Sequence, residues 1–273
     1  MEAERLEVDT RARPRHTPRR VLLTNDDGIG SKGLYELATA LAGDHEVVVV
    51  APQDERSGSG TGIGYFDPVQ GVGVTSSWVA GSPAHAIDGP PGLAVMSAML
   101  GAFGDLPDVV VSGINPGINT GHSVLHSGTV GAVLTARTFG CDGVAVSLAS
   151  GDSWHWKTAA EIALPVIRWV LERPVPQPTT INLNVPGMEM DDVRGVRWAD
   201  LDVFGYFRVA ATDDPGERLQ FEVGPPEAGL DPASDTALVS GGYATVTPLA
   251  TVQPAAFPDS PPPGCERFER RGE

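Results

Sequence analysis

The sequence predicts an α/β fold, a doubly wound and mostly parallel sheet, and three observations carry that expectation. Apolar β-branched runs alternate with stretches of helical periodicity; the runs lack polar alternation, as strands buried on both faces do; and three of them end in turns rich in Gly, Asn, Asp or Ser. Repeated βαβ units of this kind wind into an open sheet.

Val21-Leu22-Leu23-Thr24 reads as the first strand, followed by a helix over 33–42. Residues 46–51 form a continuous β-branched strand that Pro52 ends. A helix over 92–102 precedes a third, Val-rich strand at 108–112, closed by the turn Gly113-Ile114-Asn115-Pro116-Gly117. A helix over 129–138 leads to a strand at 143–148, a helix at 156–171 and a strand at 181–186. After Pro186 short strand-like pieces mix with Gly, Pro and Asp, and 244–248 is a late strand. The organisation read from this is a disordered N-terminal extension over 1–20, an α/β core over 21–186, a β-rich appendage over 187–255 and a Pro-rich tail over 256–273.

With 41% hydrophobic and 20% charged residues among 273, the chain has an ordinary globular composition and ample material for a core. No apolar stretch approaches the roughly 18 residues of a membrane helix, and no apolar segment follows the basic N-terminus, so a cytoplasmic protein is expected. Residues 1–20 hold six Arg against four acids; the remainder carries 13 basic and 31 acidic residues. Such a surface repels nucleic acid polymers and anionic membranes, and it repels a small phosphorylated substrate too unless a cation intervenes. Cys141 and Cys265 lie far apart without a partner motif, which suggests neither zinc nor a disulfide framework.

Asn25-Asp26-Asp27-Gly28 stands directly behind the first strand, so two adjacent carboxylates sit at the carboxyl edge where open sheets bind ligands. Side chains of a straight strand alternate faces; both acids reach one point only if the chain turns, and Gly28 permits the turn. Two carboxylates held that close repel each other unless a cation neutralises them, which suits Mg²⁺ or Mn²⁺ with oxygen ligands. A β-turn with solvated acids is the plainer alternative. The segments 55–62 and 112–115 end other strands at the same edge. Asp26, Asp27, Ser57 and Asn115 together offer carboxylate, hydroxyl and amide oxygens for an open shell with room for water and a phosphate oxygen. His126-Ser127-Gly128-Thr129 opens the helix at 129–138, whose free N–H groups and dipole suit a phosphate or simply mark an N-cap.

Better-known loops are absent. The glycines of 57–64 do not end in Gly-Lys-Ser/Thr, and they follow the second strand rather than the first. Ser59 lacks the glycine two residues before it, and Ser123 the glycine two residues after it, that a nucleophile elbow requires.

The ordered segments TNDDGI, APQDERSGSG, GSPAHA, VSGINPGINTG, LHSGTVGA, INLNVP and GGYATVTPL resemble the SurE (survival protein E) family of metal-dependent 5′/3′-nucleotidases over residues 20 to 250. The resemblance implies a Rossmann-like core with a β-hairpin and a C-terminal exchange arm, assembly into homodimers or homotetramers, and hydrolysis of nucleoside monophosphates with a divalent cation. It also implies that Asp26 and Asp27 are the metal-binding acid pair, Ser57 and Asn115 further ligands, and Asn25, Asn119, Ser127, Gly128 and Thr129 positions around the phosphate. Asp26 and Asp27 are in addition the candidate catalytic residues, Asp26 the preferred one to shuttle a proton to or from water or the leaving alkoxide.

The chain departs from the family pattern at Thr61, where an imidazole is usual, at His85, where an acid is usual, and at Pro116, where a basic residue is frequent. The replacements at Thr61 and His85 leave open a phosphatase of another phosphorylated metabolite; a non-catalytic metal or nucleotide binder is a separate alternative, against which the retention of all four oxygen ligands argues. His85, His122 and His126 are candidate contacts to a nucleoside or leaving group, or packing residues. Trp154 and Trp156 are a candidate wall for a base, or the docking face of the helix at 156–171, which their spacing favours. Tyr65, Phe66, Phe204, Tyr206 and Phe207 are candidates to cover the pocket or build an oligomer contact.

Overall fold

Strand β1 (Arg19–Thr24) lies near the middle of a nine-stranded sheet in the computed structural model, which describes residues 19–65, 67, 69–173, 177–203, 208–211, 221–224 and 229–251. The expected extension up to residue 18, the Pro-rich tail, Cys265, Phe66, Phe204, Tyr206 and Phe207 lie outside the described residues. Helix α1 (Lys32–Leu41) follows β1 and leads to β2 (His45–Pro52); a hairpin of β3 (Val74–Val79) and β4 (Ser82–Ile87) precedes α2 (Pro91–Met99). Then come β5 (Val109–Pro116), a 3-10 turn at Gly121–Leu125, α3 (Gly128–Thr138), β6 (Asp142–Leu148), α4 (Trp156–Glu172) and β7 (Thr180–Val185). The remainder contributes β8 (Val196–Trp198), β9 (Arg208–Ala211), β10 (Phe221–Gly224), α5 (Asp235–Ser240) and β11 (Ala244–Leu249).

The sheet order is β3-β4-β2-β1-β5-β6-β7-β11-β8. Its six parallel strands, β4-β2-β1-β5-β6-β7, reproduce the doubly wound order in which the chain winds outward from β1, returns, and winds the other way. β3 joins antiparallel to β4, and β11 antiparallel to β7. β8 and β11, from the stretch read as an appendage, extend this main sheet, whereas β9 and β10 pair in a small sheet of their own.

Pleat alternation splits the core in two. Val21, Leu23, Val47, Val49, Val109 and Val111 face α1 and α4; Leu22, Val48, Val50 and Val110 face α2 and α3. Each such fully buried side chain contributes roughly 1.5–3 kcal/mol of transfer free energy, which explains why these strands read as unbroken apolar runs. Helix α1 begins where Ser31 Oγ accepts from Leu34 N, and it buries Leu34, Leu37, Ala38 and Leu41 along one stripe.

Several bounds differ from the sequence reading: β5 runs through Pro116 and absorbs the turn expected at 113–117, α2 ends at Met99 rather than 102, and a β3–β4 hairpin precedes it. β1 starts at Arg19, not Val21, because Arg20 N donates to Asp108 Oδ2 at 2.8 Å and the Arg20 guanidinium to Phe103 O at 2.9 Å, holding the chain in register with β2. The β3–β4 hairpin turns through Ala80 and Gly81, both at positive φ, as two-residue hairpin loops require. Among the described residues no helix is long and apolar enough to cross a membrane.

Candidate functional site

β2 lies on one side of β1 and β5 on the other, so the winding direction reverses at the carboxyl ends of β1 and β5. A cleft of about 310 Å³ opens there, lined by Asp26, Asp27, Glu55, Ser57, Asn115, Asn119, Ser127 and neighbouring residues. It contains three carboxylates and no Lys or Arg side chain among the described residues.

The turn after β1 is built for close approach. Gly28 has φ +92°, and a Cβ there would stand 3.3 Å from the backbone of Asp54. Backbone bonds Ile29 N to Pro52 O (2.8 Å) and Arg56 N to Asp26 O (2.7 Å) tie this turn to the loop after β2. Asp26 is buried, and Thr129 Oγ1 donates to its Oδ1. Asn115 follows a register shift in β5 that re-aims its side chain. Its Nδ2 donates to Gly117 O at 2.6 Å, and its Oδ1 lies 3.5 Å from Thr129 Oγ1, the hydroxyl that also meets Asp26.

Asp27 differs from Asp26 in having no donor for a buried oxygen, its Oδ2. Burial first, then the charges of Asp26 and Glu55, push its pKa up to about 7. A buried carboxylate oxygen without a partner, beside two more carboxylates, is the environment that a cation would relieve. Among the described residues no three His, Cys, Asp or Glu side chains group around one point, so a cation here would draw on Ser57 and Asn115 as well as the two aspartates. Hard divalent ions accept that mixture of carboxylate, amide and hydroxyl oxygen.

Ser127 caps α3, its Oγ accepting from Val130 N at 3.1 Å. Gly128 has no room for a side chain: a Cβ would lie 2.6 Å from Ser59 Oγ and 2.8 Å from Asp26 Cβ. The first turn of α3 therefore abuts Asp26 directly; Ser127 lines the cleft, whereas Gly128 and Thr129 stand against Asp26 and are not among the lining residues. Asn119 lines the cleft with its backbone clamped by β7: its N–H donates to Asn184 Oδ1 (2.8 Å), and its carbonyl accepts from Asn182 Nδ2 (2.7 Å) and Asn184 Nδ2 (3.0 Å). Asn25 is placed otherwise. It is buried beneath the turn, its Nδ2 donating to Gly28 O (3.0 Å) and Ser31 Oγ (2.7 Å), so it braces the acid pair and does not line the cleft.

Several residues here escaped the sequence reading. Glu55 lines the cleft and accepts from Ser57 Oγ at 3.0 Å. Ser59 holds a buried hydroxyl without a partner beside Gly128. Asp235, fully buried, accepts from Gly121 N (3.0 Å), Asp202 N (3.0 Å) and Thr236 N (2.8 Å), pinning the loop that carries Asn119 and Ser127 to α5. Burial raises its pKa against the opposing pull of those N–H donors. INLN in β7 and the strand-end segment that begins at Glu55 were the visible signals; Asp235 had none.

His126 lines the cleft, whereas His122 does not. His85 sits in the β3–β4 hairpin, 3.2 Å from Ser76 Oγ and against the Phe103 ring at 4.7 Å, so that departure is a packing position outside the cleft. Thr61 is likewise outside, and Pro116 lines it. Trp156 packs on the α1–α4 core and over Gly33, with Trp154 stacked on it at 5.2 Å, the docking arrangement.

Comparison with known proteins gives a consistent picture. The family model "Survival protein SurE" matches residues 21–206. A 5′-nucleotidase SurE of Methylococcus capsulatus is 36% identical over 232 residues, covering 84% of this chain and 90% of that protein. A 5′-nucleotidase SurE of Nostoc sp. is 34% identical over 243 residues, 84% of this chain and 92% of that one. The crystal structure of the SurE protein from Aquifex aeolicus superposes with a TM-score of 0.70 at 28% identity, covering 84% of this chain and 92% of that chain.

Proposed function

This chain belongs to the survival protein SurE family, and we propose on that premise that it hydrolyses nucleoside monophosphates to nucleoside and phosphate with the help of a divalent cation. The 5′ ester is the substrate named for its relatives; we extend the reading to 3′ esters. The observation that carries the chemistry is that Asp26, Asp27, Ser57 and Asn115 line one acidic cleft which, among the described residues, has no Lys or Arg to receive a phosphate.

Asp27 Oδ2, Asp26, Ser57 Oγ and Asn115 Oδ1 are the proposed ligands of Mg²⁺ or Mn²⁺, which when bound supplies positive charge for the phosphate oxygens. The first turn of α3, at Ser127, Gly128 and Thr129, presents N–H groups to the same phosphate, and Asn119, clamped by Asn182 and Asn184, closes the opposite wall. Held between them, the phosphorus is open to attack by water in line with the leaving alkoxide. Asp26, fixed in orientation by Thr129, is assigned the proton transfer to or from water or the alkoxide. Asn25 acts beneath the site as the brace of the turn. The assembly is proposed to be a homodimer or homotetramer.

The test is phosphate release from nucleoside 5′- and 3′-monophosphates, with and without chelator, over Mg²⁺, Mn²⁺ and Ca²⁺. Activity that disappears with chelator and returns with the cation supports the reading. Chelator-insensitive release, or none from any nucleotide, removes it.

A further inference from the structure

A second cavity of about 250 Å³ lies at the same sheet edge, walled by residues 117–118, 149–150, 186–188 and 239–240. One thickness of chain separates it from the acidic cleft: Pro116 and Asn119 line the cleft, whereas Gly117 and Ile118, between them in sequence, line this cavity. The chemistry of the two hollows differs sharply. No ionisable side chain lines the second one among the described residues; Ile118, Pro186, Met188 and Val239 give it apolar surface, and Ser150 and Ser240 give it hydroxyls. Mostly apolar concavities with a few placed polar groups are the usual sites for uncharged organic groups.

The walls are set in advance. Gly117 N donates to Leu148 O and Ala149 N to Val185 O, both at 2.8 Å, and a Cβ on Gly187 would lie 2.5 Å from Ala149 O, so the loops after β6 and β7 meet backbone to backbone. Ser240 Oγ already donates to Thr236 O at 2.8 Å and therefore offers its lone pairs to a ligand donor. A pre-set cavity costs a ligand little ordering.

We propose that this cavity receives the nucleoside half of the substrate, base inward, while the phosphate crosses Gly117 into the acidic cleft. The inference rests on the nucleotidase reading and specifies how the substrate lies. Gly117 leaves the crossing clear: at φ +122° it carries no side chain, and the nearest atom to a Cβ there is Asn115 Nδ2, 3.8 Å away. A neutral base belongs with the uncharged wall and the dianionic phosphate with the cation site, so the division of polarity fixes the direction of binding.

Calorimetric titration of adenosine, guanosine and uridine into the full chain in chelator reads the cavity without the cation. At least one nucleoside should bind and should also inhibit nucleotide hydrolysis competitively. Ser240→Trp, on the exposed rim, and Ala149→Leu, on a different wall, should each weaken nucleoside binding about tenfold or more. Both should lower by a similar factor the ratio of kcat/KM for the nucleoside monophosphate to that for β-glycerol phosphate, which has no base. Absence of binding by all three nucleosides, or an unchanged ratio in both folded variants, overturns the proposal. Nucleoside binding that is lost in both variants of a protein that releases no phosphate leaves this proposal standing and removes the hydrolytic reading.

Discussion

Asp27 and Asp235 are both carboxylates whose pKa is raised chiefly by burial, yet they occupy opposite situations. Asp235 is met by N–H groups from three segments, whereas the Asp27 Oδ2 oxygen has no donor and two further acids nearby. The first is a clasp; the second is a charge waiting for a counter-charge. Burial and a raised pKa alone therefore do not mark a site; an undonated carboxylate oxygen on the wall of an acidic cleft is what sets Asp27 apart.

Substitution separates the two most clearly. Asp27→Ala should cut phosphate release by at least about 10²–10³-fold and abolish calorimetric cation binding. In chelator its melting temperature should equal or exceed that of the parent, because an unpartnered buried charge has been removed. Asp235→Ala should do the reverse for stability, since each buried N–H left without an acceptor costs about 1–3 kcal/mol, read as a lowered denaturant midpoint. Equal melting losses for both variants would erase the distinction.

Gly128→Ala tests how tightly the cleft depends on the contact between α3 and Asp26. A methyl 2.6–2.8 Å from Ser59 Oγ and Asp26 Cβ must displace the helix or the acid, and turnover should fall by roughly 10²-fold with the fold retained. Unchanged turnover would mean that the helix terminus is not part of the phosphate site.

The smallest effect is in pH dependence without metal. The folded-state pKa of Asp27, about 7, lies above its ordinary 3.8, so the folded state binds the proton more tightly than the unfolded one. Stability from this group is present below about pH 4 and is lost as pH rises towards 7. Asp27→Asn should flatten that part of the melting profile in chelator, and an identical slope in the variant would contradict the assignment.

The sequence made legible what is local. Asp26, Asp27 and Ser57 stand in the loops after β1 and β2, and Asn115 stands in the last residues of β5, so strand-end position is enough to send all four to one edge. Asn25 shows the limit: its neighbourhood was readable, but the direction of its side chain depended on Ser31, six residues on. Glu55, exposed in a loop, gained meaning only beside Asp27, and Asp235 only when Gly121, 114 residues distant, came within reach. The β3–β4 hairpin was missed because β3 is an edge strand, exposed at five of six positions, and lacks the apolar alternation that marks a buried face.

The placement of β11 has a bearing on where the chain can be divided. The family match stops at residue 206, but β11 comes later and sits between β7 and β8, pairing with both. A fragment ending with the match would strip β7 of its outer neighbour, leave β8 with nothing to pair to, and remove the Asp235 anchor from the loop at Gly121. Bare edges of that kind recruit other chains, so such a fragment would be prone to aggregate, and shortened versions intended for expression should retain the whole of β11.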